Sequence, residues 1–131
     1  MPQSMTAVPA KRMKLDSSAP HLCPATTYTE GKDDWGPQAE MLEGASQSSG
    51  KLLWKDGQGA ECGVWDCTPG RWRLALPADE LCHFVFGNAT YTSDEGEVIK
   101  VSAGTVVHFK QGWQGECHVH DTIRNVYMLV T

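Results

Sequence analysis

The chain has 131 residues, a length that suits one domain with a genuine core and falls short of two. Hydrophobic residues make up 40% and charged residues 21%, the balance of an ordinary globular protein, and no apolar run is long enough to cross a bilayer. Net charge is −5, and the acidity is concentrated from residue 40 onward, where seven basic residues face twelve acidic ones; this argues against a general nucleic-acid-binding surface, which needs a basic face.

The first forty or so residues are rich in Pro, Ser, Thr, Ala, Gly and Asp and show neither helical nor strand periodicity, so residues 1–41 are expected to form a disordered tail. Within it, Pro9-Ala10-Lys11-Arg12-Met13-Lys14-Leu15-Asp16 resembles a monopartite nuclear localisation signal, with Lys11, Arg12 and Lys14 as the residues an import receptor would grip. A solvated charge cluster with no reader is the competing reading. The N-terminus lacks the charged and apolar regions of a secretory signal. Together with an odd count of five cysteines, this reads as a cytoplasmic or nuclear protein with reduced thiols, not a secreted one. Ser46 to Gly50 reads as one more linker, bracketed by Trp35 and Trp54.

From Lys51 onward, short apolar runs alternate with turn signals. Lys51–Trp54 is a first strand, closed by Lys55-Asp56-Gly57-Gln58-Gly59, and Glu61–Cys67 follows, stopped by Thr68-Pro69-Gly70. Arg71–Leu76 alternates polar and apolar residues, Leu81–Phe86 is a continuous apolar run, and Ala89–Thr92 enters a hairpin turn at Ser93-Asp94-Glu95-Gly96. Glu97–Val101, Thr105–Phe109, Glu116–His120 and Arg124–Val130 complete the set. No segment keeps a helical period, so the fold class is all-β, a sandwich or barrel of short strands over residues 42–131.

Two stretches carry a family resemblance. Gly63-Val64-Trp65-Asp66-Cys67-Thr68-Pro69-Gly70 and Asp79-Glu80-Leu81-Cys82-His83-Phe84-Val85-Phe86-Gly87, continued by Asp94-Glu95-Gly96, Ala103-Gly104, Gly112-Trp113-Gln114-Gly115 and Thr122-Ile123-Arg124-Asn125-Val126-Tyr127, resemble the small single-domain cupins related to (S)-ureidoglycine aminohydrolase. The resemblance covers roughly Leu42 to Thr131. It implies an RmlC-like jelly roll, that is, a double-stranded β-helix of six to eight strands with a ligand pocket between its sheets, commonly as a homodimer. Lys110 stands where the family usually has Pro, and Phe86 and Asn88 flank Gly87 where Leu-Glu-Gly is usual.

Metal-dependent cupins are similar to one another in two His and a Glu in a first motif and one His in a second. Carried onto this sequence, the Glu position holds Glu80, while the three His positions fall near Leu74 and Leu76 and at Gly115. A lone carboxylate does not hold a transition metal against water, so no metal or other cofactor is expected. Strand alternation places Cys82, Phe84 and Phe86 inside with Glu80, and Cys117 and Val119 inside with Gly115. His83, His118 and His120 then face outward, and the i, i+2 pair His118/His120 is the remaining, weak metal alternative. The expected pocket comprises Trp72, Leu74, Leu76, Glu80, Cys82, Phe84, Trp113 and Cys117. Within it Glu80 is the acid/base candidate, weighed against a structural Glu paired with Arg73 or Arg124, and Cys82 and Cys117 are thiols weighed against inert packing.

Three functions follow as alternatives: a metal-free binder of a small polar metabolite, a divergent ureidoglycine aminohydrolase-like enzyme using Glu80, and a nuclear interaction scaffold. The small molecule is the principal expected partner, with a homodimer and an import receptor alongside it, and neither membrane nor nucleic acid is expected.

Overall fold

The computed structural model describes residues 19–131, so Lys11, Arg12 and Lys14 lie outside the described residues. Nine strands follow in chain order: β1 (Asp33–Pro37), β2 (Met41–Glu43), β3 (Gln47–Lys55), β4 (Ala60–Cys67), β5 (Gly70–Ala75), β6 (Asp79–Ser93), β7 (Val98–Val101), β8 (Val106–Phe109) and β9 (Gln114–Val130). All pairings are antiparallel, and no helix forms among the described residues.

The two longest strands organise the molecule. β6 and β9 pair along nearly their whole length, from Asp79↔Val130 to Ser93↔Gly115. The second half of β9 takes β4 on its other edge, and the first half takes β5. In the same way, the first half of β6 pairs β8 and its second half pairs β7. Two half-sheets result, β1-β3-β4-β9-β6-β8 and β2-β5-β9-β6-β7, sharing β6 and β9.

The fold between the halves lies where the β6/β9 register slips, between Phe84 and Ala89. An extra residue on one strand bends it and raises its twist. Gly87 sits at this bend with φ of +82°, and a Cβ there would run into the Thr122 carbonyl oxygen. Only glycine satisfies both constraints. The two apolar faces then close on each other around Trp72, Phe84, Val119 and Ile123, each at most 2% exposed. Edge-to-face pairs Trp65–Trp72 (6.4 Å) and Phe84–Tyr91 (6.2 Å) knit the core. This is the all-β, curled double-sheet architecture expected, with nine strands in place of six to eight.

Three expectations are corrected. The folded part begins before Leu42, because β1 pairs with β3 and Tyr28 is buried. Polar composition concealed two anchors in that stretch, Tyr28 and Trp35. Ser46–Gly50 is not a linker, since Gln47–Gly50 opens β3 and its small residues are buried. A Cβ at Gly50 would strike the Val64 carbonyl and the Trp35 ring, so small residues here make room for the strand that covers them. Phe86 does not continue the inward row of Glu80, Cys82 and Phe84. The slip after Phe84 turns it over, and its ring lies 4.9 Å from the Arg124 guanidinium.

Arg124 itself faces away from the cavity. Its Nε and Nη2 donate to Asp66 at 2.6 and 2.8 Å, and Nη1 donates to the Ala25 carbonyl at 3.0 Å. Lys32 Nζ adds a 2.8 Å bond to Asp66, and the Tyr28 ring stacks 5.0 Å from Arg124. The segment before β1 is thereby clamped onto the outer face of β4 and β9.

Candidate functional site

The register brings side chains into lateral rows on the inner face of the first half-sheet. Glu61, Leu129, Glu80 and Phe109 form one row across β4, β9, β6 and β8, while Tyr127 and Cys82 stand in the next. Trp65 and Asn125 pair in the row beyond. From the opposite half-sheet, Trp72 and Leu74 of β5 and Tyr91 of β6 face them, and Leu76 follows β5. Trp35 of β1 and Gln38, which accepts a 2.6 Å bond from the Ser48 hydroxyl, complete the rim. Together they enclose a cavity of about 350 Å³. That volume suits a small metabolite.

Of the residues expected in the pocket, Trp72, Leu74, Leu76, Glu80 and Cys82 line this cavity. Phe84 and Cys117 do not; each is fully buried in the core behind it. Trp113 also stands apart, packed against Phe109 and Tyr91 with its ring in the space where a Gly115 side chain would project. Neither arginine weighed as a partner reaches Glu80, because Arg124 pairs with Asp66 and Arg73 with Asp94.

Burial pushes the Glu80 carboxyl above the ordinary range, and the Glu61 charge adds to this; the hydrogen bond from Cys82 Sγ to Glu80 Oε2 (3.3 Å) opposes the shift without offsetting it. Burial and the adjacent Glu80 raise the Cys82 thiol strongly, burial raises Cys117, and Cys67 is pushed up to about 12. These thiols are protonated packing groups at neutral pH, without the electropositive surroundings of a reactive cysteine. Across the row, Tyr127 donates its hydroxyl to Glu61 Oε2 at 2.9 Å. Gly63, paired with Tyr127, leaves the hydroxyl room to reach it.

Two lining residues carry polar atoms with no protein partner: Trp72 Nε1, a donor, and Asn125 Oδ1, an acceptor, in side chains only 2% exposed. Both atoms have essentially no accessible surface, so a molecule in the cavity would reach them only if these side chains turned toward it.

The four positions that correspond to cupin metal ligands can be judged on this geometry. Leu74, Leu76 and Glu80 do converge on the cavity, but Gly115 cannot carry a side chain, since a Cβ would meet the Thr92 carbonyl and the Trp113 ring. Two carboxylates, Glu80 and Glu61, and a protonated thiol, with no imidazole among them, do not make the donor set of a cupin transition-metal site. Outside the cavity, the His118 and His120 rings stack 4.2 Å apart and His120 Nε2 meets the Thr90 hydroxyl at 2.9 Å. Among the described residues no group of three or more His, Cys, Asp or Glu is placed to hold a metal.

Sequence reasoning missed Trp35, Gln38, Glu61, Asn125 and Tyr127 as cavity residues. Trp35 and Gln38 lie before the expected boundary. Glu61, Asn125 and Tyr127 reach Glu80 only through the β4-β9-β6 register, which alternation within one strand does not supply.

A comparison with curated proteins finds no match. Among solved structures, the EutQ protein of Clostridium difficile is similar with a TM-score of 0.58 at 20% identity, over 65% of this chain and 68% of that one. A protein of unknown function of the DUF861 family from Pseudomonas syringae pv. tomato gives a TM-score of 0.69 at 21% identity; 76% of this chain is covered, and it spans 44% of that chain. The cupin domain of Schizosaccharomyces pombe Cnp3 gives 0.56 at 12% identity, over 64% of each chain. Likeness at these identities concerns the fold. The model of the EutQ-like cupin domain matches residues 55–127, more than half of the chain and the whole span from β4 to most of β9. The chain therefore belongs to the EutQ-like cupin domain family.

Proposed function

We propose that this protein binds a small polar metabolite in the cavity between its half-sheets. The observation that carries this reading is a cavity of about 350 Å³ walled by aromatic and aliphatic side chains, with the two carboxylates Glu61 and Glu80 set among them. Glu80 supports the same reading: it is a half-buried carboxyl in the cavity wall that no Lys or Arg among the described residues pairs with.

The test is a thermal-shift screen against ureides, amino acids, amines and sugar acids, because a ligand that prefers the folded state stabilises it by mass action. At least one hit should be weakened by Asn125→Leu or Glu80→Gln. A screen with no hit in any class overturns the reading.

The raised carboxyl also favours a second reading, in which Glu80 donates a proton to a bound substrate as a general acid. The resemblance to ureidoglycine aminohydrolase-related cupins makes ureides the first substrates to assay. Ammonia release that survives Glu80→Gln would remove this role.

A further inference from the structure

We infer that the cavity selects a cationic ligand, an amine, quaternary ammonium or guanidinium compound held between the Glu61 and Glu80 carboxylates and against the surrounding indole and phenol rings. The inference rests on the binding reading above and adds the ligand's charge.

Three features of the wall point the same way. First, among the described residues its only charged side chains are the two carboxylates, Glu61 and Glu80, and no Lys, Arg or His of these residues lines it. The nearest arginines are committed elsewhere, Arg124 to Asp66 and Arg73 to Asp94. Second, the two carboxylates occupy one lateral row on β4 and β6 with Leu129 of β9 between them. Two strand spacings separate their backbones by about 10 Å, which leaves room for one small cation within reach of both. Third, Trp35, Trp65, Trp72, Tyr91 and Tyr127 present aromatic surface to the same space. Aromatic faces attract cations, most strongly where water is excluded, and they give an anion no such contact.

The protonation of Glu80 is coupled to this. The ionisable groups lining the cavity around it are Glu61 from β4, Cys82 and Tyr91 from its own strand and Tyr127 from β9, while β8 and β5 contribute Phe109, Trp72 and Leu74. None of these groups is a cation. A bound cation supplies the missing positive charge and favours ionised Glu80, so over the pH range in which Glu80 titrates, binding should release a proton and strengthen as pH rises.

The test uses the full chain and charge-matched probes. Choline, tetramethylammonium and agmatine are compared with 3,3-dimethylbutanol, the uncharged isostere of choline, and with 3,3-dimethylbutyrate, its anionic counterpart, by thermal shift and calorimetry. At least one cation should raise the melting temperature and bind at least tenfold more tightly than the neutral and anionic probes. Glu61→Gln/Glu80→Gln should remove that preference while remaining folded by its own melting curve, and heats in buffers of different ionisation enthalpy should report proton release. Equal or tighter binding of the neutral or anionic probe overturns the inference, and so does a panel in which no cation binds. Hits confined to neutral or acidic compounds in the broader metabolite screen would sink the cation preference and leave the binding reading standing. No hit in either experiment would sink both.

Discussion

Replacing Arg124 with Met removes the centre of the cluster that fastens the segment before β1 to the sheet. Arg124 is 3% exposed and Asp66 4%, so the substitution strands a carboxylate away from water. It also removes two hydrogen bonds to Asp66, the bond to the Ala25 carbonyl and the stacking on Tyr28 and Phe86. Breaking one side of a buried ion pair costs about 3–5 kcal/mol. Lys32 still reaches Asp66 and holds the loss near the lower figure, ~3 kcal/mol. At about 4 °C per kcal/mol for a domain of this size, the melting temperature should fall by roughly 12 °C. The Asp66→Leu/Arg124→Met double variant should be more stable than Arg124→Met alone, since it leaves no buried carboxylate held by Lys32 alone. Differential scanning calorimetry gives both values, and limited proteolysis should show earlier cleavage between Leu22 and Lys32 in the single variant. A fall below about 4 °C, or a double variant no more stable than the single one, would refute the reasoning.

The same cluster sets an acid limit. Burial alone would raise the Asp66 carboxyl, but the hydrogen bonds and charges of Arg124 and Lys32 outweigh it and hold it below the usual range. Its contribution is therefore complete above an unfolded value near 3.9 and is lost as pH falls through the lower folded value; Asp66→Asn should flatten that acid-side loss in urea titrations. Glu80 has the opposite sign: with its folded value raised, ionisation costs stability as pH climbs above an unfolded value near 4.3, so Glu80→Gln should gain on wild type in melting curves as pH rises from about 4 through the folded value. An unchanged difference across that range would mean that Glu80 is not desolvated. Gly115→Ala should cost about 1–3 kcal/mol by forcing apart Thr92 and the Trp113 ring, and Gly115→His should lose more without gaining metal on elemental analysis. Thiol labelling of the native protein should reach the partly exposed Cys23 and Cys62 first, leaving Cys67, Cys82 and Cys117 protected until unfolding; early loss of Cys82 would contradict its burial.

Strand order along the chain, the turn chemistry and the inward parity of Glu80 and Cys82 were legible because each depends on residues close in sequence. Leu74 and Leu76 beside Glu80 were legible through family resemblance. What could not be read is non-local. Glu61 and Tyr127 reach Glu80 only because β9 lies between β4 and β6 in a fixed register. Phe86 turned over at a slip that no local pattern marks, and Phe84 and Cys117, inward as alternation required, sit in packed core away from the cavity. The contribution of β1 was hidden by composition. Asp33–Pro37 reads as a polar loop until the glycine that accommodates Trp35, Gly50, is known to lie across from it.

The central claim is that a ligand sits between the half-sheets, in contact with Glu80. The most direct measurement is to titrate the strongest hit of the metabolite screen into wild type and into Leu74→Trp, which fills the cavity from the β5 side without touching Asp66, Arg124 or the bend at Gly87. If the cavity is the site, binding to Leu74→Trp weakens at least tenfold while its melting temperature without ligand stays within a few degrees of wild type. Unchanged affinity in a folded Leu74→Trp protein would place the ligand elsewhere and contradict the account.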